Sequence, residues 1–305
     1  TGDSSRVCCK MAAAASQAKL KEFNLDKGIV AFGEPLSEAT VKVATALALV
    51  AEQSGIEYTW VNVGFDGTPG TTSKDGKLSF GVKSEDWATI SEGAKVMPAI
   101  AVDGKIMMDS GKIIQYLNQK YPDKSLTGPE AKEVKKWIDF NLTYADVLIV
   151  AAKHWGWAAM HKGNKGAAAN LEHYSEYGFG CKDLAWERNQ CKMVDTALKE
   201  LDTAIAAKKS ITGYLVGGKL TLADCAVLSY CNTLSLIPKL DVASKYPSLW
   251  ASFQAIKAAP PKGSEAHLKM FPIFGFVVGM FSIKDRGCCG CYTGRGFNMN
   301  DPKYW

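Results

Sequence analysis

The chain of 305 residues carries 36 Lys and Arg against 31 Asp and Glu, a formal net charge of +5 at pH 7, and 47% of its residues are hydrophobic. This length and apolar content predict two globular domains, each able to bury a core of its own. The lysines are scattered along the chain, so neither a nucleic-acid-binding stripe nor a polybasic membrane patch is indicated.

The nine cysteines lie at irregular positions, with Cys8 next to Cys9 and Cys288 next to Cys289. In a chain of this length the pattern does not indicate a disulfide framework, so we expect a reducing compartment. No basic segment and apolar run follow Thr1, which argues against a secretory signal. The expected location is the cytoplasm or another reducing compartment, with an organelle lumen or stroma after removal of a transit peptide as the alternative.

The first part of the chain predicts a small α/β domain over residues 28–122, preceded by an N-terminal extension over 1–27. A short apolar strand, GIVAFG, a long helix, SEATVKVATALALVAEQSG, and an alternating strand, IEYTWVNVGF, predict a β-α-β unit. Residues 64–86 are rich in Gly, Thr, Ser and Lys without periodicity and predict a long loop or insertion. After them, PAIAV and KIMM flank Asp103-Gly104, a dipeptide suited to a type I′ hairpin turn.

The strand signals then stop, and amphipathic helices predict a second, all-α domain over 129–262. Pro129 lies near a helix start, and a long amphipathic pattern follows it. In LTLADCAVLSYCNTL, Thr221 lies three residues before Asp224, a variant of the capping box that precedes an apolar run and predicts a buried helix. The last residues, 263–305, are rich in glycine and are expected to form an irregular C-terminal extension.

Three motifs in this order resemble parts of the soluble glutathione transferases. KVMPAIAVDGKIMMDSGKIIQYLNQKYP is similar to the second half of their thioredoxin-like domain, and YLVGGKLTLADCAVL and YPSLWASFQAIKAAP are similar to their helical domain. The resemblance covers roughly residues 28 to 260, with an interruption at 64 to 86. It implies an α/β thioredoxin-like domain followed by an all-α helical bundle domain, closest in pattern to the Ser-type or sigma-like members.

The resemblance also implies a glutathione site around Pro98. In the family, a cis-proline turns the backbone of the preceding residue toward the cysteinyl part of glutathione, and Met97 and Pro98 match these positions. Asp109 would pair with the γ-glutamyl ammonium group, while Ser110 and the free helix amides would hold the carboxylate. The family more often has Glu or Gln, a longer side chain, at the position of Asp109. A proline at a strand start and an Asp-Ser helix cap also have purely structural uses.

Ser37 is the candidate for activating the thiol. Transfer of glutathione requires the thiolate because the thiol is a poor nucleophile. Ser37 is the hydroxyl at the beginning of the helix after the first strand, where the helix dipole favours an anion. It resembles the serine of the Ser-type transferases, although Glu38 replaces their usual proline. The alternative interpretation is that Ser37 is an ordinary helix N-cap, with Thr40 as a further polar group.

No metal site is expected. The four histidines show no ligand spacing with Asp, Glu or Cys. Cys288, Cys289 and Cys291 have no nearby histidine and fall short of a tetrahedral ligand set. Cys225 and Cys231 lie in the predicted buried helix, where cysteine usually behaves as a small apolar residue.

Two functional hypotheses follow. The first is an enzyme that uses glutathione as co-substrate and conjugates its thiolate to a hydrophobic electrophile, against an apolar wall of Trp155, Trp157 and Met160, which alternatively pack as core. A homodimer is expected from the resemblance alone. The second is a non-catalytic transferase-fold scaffold or accessory subunit of a larger, organellar assembly, with a protein partner held by the C-terminal extension. Its apolar segment 270–281 fits an interaction surface and is too short to span a bilayer.

Overall fold

The computed structural model describes residues 2–35, 37–64, 67–94, 96–140, 184–207, 213–234 and 241–265, together with Leu268. These residues fall into two compact units. The first contains the described residues up to Lys124 and also Pro261–Ser264, and the second contains those from Ser125 to Pro260 together with Glu265 and Leu268.

Several sequence predictions concern residues outside the described ranges. They are the apolar wall, the C-terminal cysteine cluster, the four histidines, the apolar segment and all but the first few residues of the C-terminal extension. The positions concerned are Trp155, Trp157, Met160, Cys288, Cys289, Cys291, segment 270–281 and most of 263–305.

The first unit is built on a six-stranded mixed sheet. The elements of this unit are α1 (Gly2–Glu22), β1 (Ile29–Gly33), α2 (Glu38–Ser54), β2 (Tyr58–Gly64), β3 (Thr71–Thr72), β4 (Leu78–Gly81), α3 (Glu85–Ile90), β5 (Ala99–Val102), β6 (Lys105–Met108) and α4 (Ser110–Lys120). The strand order is β3-β4-β2-β1-β5-β6. β1 pairs in parallel with β2, and β2 with β4, whereas the β1–β5, β5–β6 and β3–β4 pairs are antiparallel. This is the thioredoxin-like arrangement that the sequence motifs predicted.

Burial explains why β1 and α2 are so apolar. Every residue of β1 is buried, as are all residues of α2 from Thr40 to Val50. An element enclosed on all sides cannot alternate apolar with polar residues, so both read as nearly continuous apolar runs. α2 ends at Gly55, whose φ of 68° places it in the left-handed region that suits a glycine C-cap.

The hairpin between β5 and β6 has the predicted turn. Asp103 and Gly104 have φ angles of 48° and 74°, and a type I′ turn requires positive φ at both central residues. The Asp103 carboxylate also accepts a hydrogen bond from the Gly28 amide at 3.1 Å. The turn is therefore tied to the beginning of β1, which fixes the hairpin against the sheet.

The long loop predicted over residues 64–86 is wrong, because the described residues there include β3 and β4. β4 extends the sheet by pairing with β2, Asn62 opposite Ser79, and it buries Phe80. Four residues beside glycines are too few to establish a period, so the sequence pattern missed this strand. Gly70 explains part of the glycine content, since a Cβ on it would lie 2.6 Å from ring atoms of Phe23 and Phe80.

The N-terminal extension forms a helix, α1, whose second half belongs to the core of the first unit. Leu20 is buried in the same cluster as Trp87 and Ile90. The Ser16 hydroxyl donates a hydrogen bond to the Ile90 carbonyl at 2.7 Å, and Lys19 Nζ lies 2.7 Å from Asp86 Oδ1. One apolar side chain and two polar contacts thus hold α1 against α3.

In the described part of the second unit the regular elements are helices, as predicted, and one isolated bridge joins Val216 and Lys219. The helices are α5 (128–140), α6 (Leu184–Ala207), α7 (Leu222–Leu234), α8 (Val242–Lys245) and α9 (Pro247–Ala258). α6 contacts α9, and the Asp202 carboxylate accepts hydrogen bonds from the Ser248 and Leu249 amides at 2.8 and 2.9 Å. A side chain of α6 therefore caps the start of α9.

The capping box predicted at the start of α7, formed by Thr221 and Asp224, is confirmed. The fully buried Asp224 carboxylate accepts hydrogen bonds from the Leu215 amide at 2.8 Å and from the Thr221 amide and hydroxyl at 2.8 and 2.9 Å. Burial raises the pKa of Asp224 to about 6, against the lowering effect of these donors.

Cys225 and Cys231 are buried as predicted, and burial raises the pKa of Cys231 to about 12.

Candidate functional site

Strand register brings the predicted site residues to one end of the first unit's sheet. Phe32 of β1 pairs with Ala99 of β5, and Ala99 pairs with Met108 of β6. Gly33, which follows Phe32, Pro98, which precedes Ala99, and Asp109, which follows Met108, therefore lie at the same end of the sheet. α4 begins there directly after β6, and α2 begins there after a short connection from β1. Two helix N-termini and a buried proline consequently share this end.

Pro98 is buried and precedes the first residue of β5, a position where its missing N–H costs the ladder nothing. The Met97–Pro98 peptide bond is cis. Met97 is half-buried against the core of the unit, and the Trp87 indole donates a hydrogen bond to the Val96 carbonyl at 3.2 Å. The segment before Pro98 is thus anchored to the core from which β5 starts.

Asp109 caps α4 with its own side chain. Its Oδ1 accepts hydrogen bonds from the Gly111 amide at 2.8 Å and the Lys112 amide at 3.3 Å. The residue has a φ of 77° and a ψ of 113°, a conformation that costs a non-glycine residue roughly 1–3 kcal/mol. The carboxylate is exposed, so it remains open to a ligand while it holds two of the helix amides.

Ser110 is the first residue of α4 and is 7% exposed. Its hydroxyl forms no hydrogen bond to another residue within the part of the chain that the structure describes. A nearly buried hydroxyl at a helix N-terminus, where backbone amides and the helix dipole favour a negative group, is suited to binding a carboxylate.

Ser37 is the N-cap of α2 and is half-buried. Its Oγ accepts a hydrogen bond from the Thr40 amide at 3.4 Å, and its own amide donates to the Glu34 carbonyl at 2.9 Å. The capping interpretation therefore describes a real interaction of this serine. Because the cap uses the hydroxyl oxygen as an acceptor, the hydroxyl hydrogen stays available to an anion.

Three further polar side chains near Ser37 are buried, and the sequence pattern alone gives no clear indication of a role for them. Glu38, which stands where the family's usual proline would be, is buried, and Lys42 and Thr40 are completely buried. Charged residues within an otherwise apolar helix were the available signal for Glu38 and Lys42. Within the described part of the chain, Thr40 Oγ1 has no hydrogen-bond partner, a property that sequence alone does not reveal.

The described residues contain no group of three or more His, Cys, Asp or Glu side chains arranged to hold a metal ion. Among the same residues, none of the helices combines the length and the apolar content needed to cross a bilayer.

The sequence matches two models of one family. Residues 35–125 match the glutathione S-transferase N-terminal domain, and residues 184–261 match the glutathione S-transferase C-terminal domain. Together the two matches cover more than half of the chain, in the order in which the two structural units occur. The chain therefore belongs to the glutathione transferase superfamily, as its motifs indicated.

Solved structures agree with this assignment at the level of the fold. A glutathione transferase homologue from Drosophila mojavensis with bound glutathione is 17% identical, with a TM-score of 0.54 over 83% of this chain and 97% of that chain. A delta-class glutathione transferase from Nilaparvata lugens is 19% identical, with a TM-score of 0.51 over 83% of this chain and 99% of that one.

A third structure, glutathione transferase F7 from Populus trichocarpa, is 17% identical, with a TM-score of 0.50 over 81% of this chain and 99% of the other. No match to a curated protein was found. At these identities the structural likeness concerns the two-domain fold, and the chemistry of the site has to be argued from its own residues.

Proposed function

We propose that this protein binds glutathione at the shared end of β1, β5 and β6 and conjugates its thiolate to a hydrophobic electrophile. The observation that carries the proposal is the convergence there of Ser37, Pro98 and Ser110 with the N-termini of α2 and α4. Two helix N-termini at one place favour a ligand with separate negative groups. Glutathione has such groups, a γ-glutamyl carboxylate and a cysteinyl sulfur.

The γ-glutamyl end is assigned to α4. The Ser110 hydroxyl, which has no hydrogen bond to a described residue, donates to the carboxylate, and the exposed Asp109 carboxylate pairs with the ammonium group. The backbone of Met97, turned by the bond to Pro98, pairs with the cysteinyl backbone. These three contacts orient the tripeptide so that its sulfur points toward α2.

Ser37 is assigned to the sulfur. Its hydroxyl hydrogen donates to the thiolate, and the N-terminus of α2 adds a favourable field, so that the pKa of the bound thiol falls below its usual range. The thiol proton is released to solvent. The sulfur then forms a bond to the electrophilic carbon, and the leaving group departs with the bonding electron pair.

Calorimetry and steady-state kinetics test this proposal. We expect glutathione to bind the wild type, and Ser110→Ala to weaken binding by about 1.5–3 kcal/mol because a hydrogen bond to a charged group is lost. With a generic aryl halide as acceptor, Ser37→Ala should lower kcat/KM by roughly 10²-fold or more, the size expected for losing one oriented donor to an anion.

Ser84→Ala is the matched control for both variants. Ser84 is the N-cap of α3, accepts a hydrogen bond from the Trp87 amide at 3.1 Å, and has no assigned contact with glutathione. We expect this variant to lose stability, as cap variants do, while glutathione binding and turnover stay at wild-type values. Equal losses of kcat/KM in Ser37→Ala and Ser84→Ala would show that Ser37 acts only as a helix cap and would contradict its catalytic role.

A non-catalytic scaffold or accessory subunit is the second candidate. It is favoured by Asp109 Oδ1, which already holds two of the amides at the start of α4, and by α1, which is an integral part of the first unit. On this proposal a folded, monodisperse sample binds no glutathione in the calorimeter. The C-terminal extension would then be the first place to look for a protein partner.

A further inference from the structure

Thr40 occupies an unusual place in the first turn of α2. It is completely buried, and its Oγ1 has no hydrogen-bond partner among the residues that the structure describes. In a helix, a threonine hydroxyl commonly bonds a carbonyl in the preceding turn, as Thr45 of the same helix does with the Val41 carbonyl at 2.8 Å. A valine at position 40 would fill the same volume without burying an unpaired hydroxyl, so the hydroxyl lowers the stability of the fold.

The side chain of Thr40 is fixed against the end of β1. A Cβ on Gly33 would lie 2.5 Å from Thr40 Cγ2 and 2.7 Å from Thr40 Oγ1. Only glycine leaves room for this contact, so Gly33 and Thr40 set the distance between the last residue of β1 and the first turn of α2. The Thr40 amide meanwhile donates to Ser37 Oγ at 3.4 Å. Thr40 therefore contacts both Gly33 at the end of β1 and Ser37, the residue assigned to the glutathione sulfur.

We propose that Thr40 is a positioning residue of the thiolate site, on the basis of the function proposed above. Its amide holds the Ser37 oxygen, which leaves the Ser37 hydrogen directed toward the sulfur. Its own hydroxyl, which no described residue engages in a hydrogen bond, rotates about its C–O bond and turns its dipole toward the anion that Ser37 binds. Inside a buried turn the effective dielectric is low, so even a dipole that does not touch the sulfur favours the thiolate.

The experiment compares the pKa of enzyme-bound glutathione, followed by thiolate absorbance during a pH titration, in the wild type, Thr40→Val and Thr40→Ser. We expect Thr40→Val to raise this pKa by about half a unit or more, roughly a threefold loss of thiolate below the pKa. Thr40→Ser keeps the hydroxyl and should restore the wild-type value. Thr40→Val should also melt about 2 to 4 °C higher than the wild type, since a buried unpaired hydroxyl has been removed.

Thr45→Val is the matched control, because it removes a buried but bonded hydroxyl from the same helix. It should leave the pKa of bound glutathione unchanged and should not raise the melting temperature. The charged side chains around the site, Glu34, Glu38, Lys42, Asp109 and Lys112, are the same in all of these variants. A difference in pKa between Thr40→Val and Thr45→Val therefore reports on the Thr40 hydroxyl.

The outcomes separate this proposal from the function on which it rests. If the wild type binds no glutathione, the proposed function fails and the role of Thr40 fails with it. If the wild type binds glutathione as the thiolate and Thr40→Val has the same thiol pKa, only the role of Thr40 is overturned. A Thr40→Val protein that melts lower than the wild type would contradict the unpaired state of the hydroxyl.

Discussion

Asp224 is a carboxyl group enclosed completely within the second unit. Three donors, the Leu215 amide and the amide and hydroxyl of Thr221, hold its oxygens. Burial nevertheless raises its pKa to about 6 from 3.8. The hydrogen bonds of this side chain join the loop before α7 to the first turn of α7. Burial of the same side chain disfavours its charged form.

This balance predicts a pH dependence of stability. Between pH 4 and 6 the folded state retains a proton that the unfolded state releases, so the contribution is complete below pH 4 and is lost as pH rises through 6. The two pKa values correspond to about 3 kcal/mol. Urea unfolding at several pH values should show the free energy of unfolding of the wild type falling by that much relative to Asp224→Asn, which does not titrate. If the free energy of unfolding changed with pH in the same way for the wild type and Asp224→Asn, the raised pKa of Asp224 would be contradicted.

Single residues at the site were partly predictable from the sequence. The interpretation of Ser37 as a cap is confirmed by its bond to the Thr40 amide, because a serine ahead of an apolar helical pattern is a strong local signal. That the Thr40 hydroxyl has no partner among the described residues was not predictable, and neither was its close packing against Gly33 of a different element. The roles of Ser37, Met97, Pro98, Asp109 and Ser110 toward glutathione stay predictions.

At the scale of elements, local patterns succeeded where an element was long or ended in a specific turn. β1, α2 and β2 follow from their periodicity, and the β5–β6 hairpin follows from Asp103-Gly104. β4 was missed because it has four residues, and its place in the sheet depends on pairing with β2. The first unit also needs α1, which the sequence pattern had assigned to an extension outside the domain.

The burial of Leu20 allows the role of α1 to be measured. Leu20 is 0% exposed in the core that contains Trp87, whereas Met11 on the same helix is 68% exposed. Leu20→Ala should lower the free energy of unfolding by about 2–5 kcal/mol, because it leaves a cavity in a packed core. Met11→Ala should change it by less than about 0.5 kcal/mol. Chemical denaturation of both variants checks this, and similar small effects would return α1 to the status of an accessory extension.

At the scale of the whole molecule, the change from strand to helix signals predicted an α/β unit followed by a helical one. The family matches over 35–125 and 184–261 agree with this order. The boundaries 28–122 and 129–262 stay predictions. The sequence pattern did not predict that Pro261–Ser264 belong to the first unit, since that depends on contacts between residues far apart in the chain.

The proposed function predicts where glutathione protects backbone amides from hydrogen exchange. Saturating glutathione should slow exchange in the first turns of α2 and α4, where the ligand is assigned, because a ligand that binds only the folded state suppresses local opening. Amides in the middle of α6 and α9, which pack on each other in the second unit, should be unaffected. Protection confined to α6 and α9 would move the binding site away from the end of the sheet.

Pro261–Ser264 belong to the first unit although they follow residues 125–260 of the second unit in the chain. This affects the order in which the first unit can fold during synthesis. Synthesis proceeds from the N-terminus, and domains generally fold as they emerge from the ribosome. Here the first unit receives its last segment, which brings Gly263 close to the Tyr58 hydroxyl, only after residues 125–260 of the second unit have been translated. A nascent chain stalled before residue 261 would therefore present an α/β unit that still lacks one of its pieces.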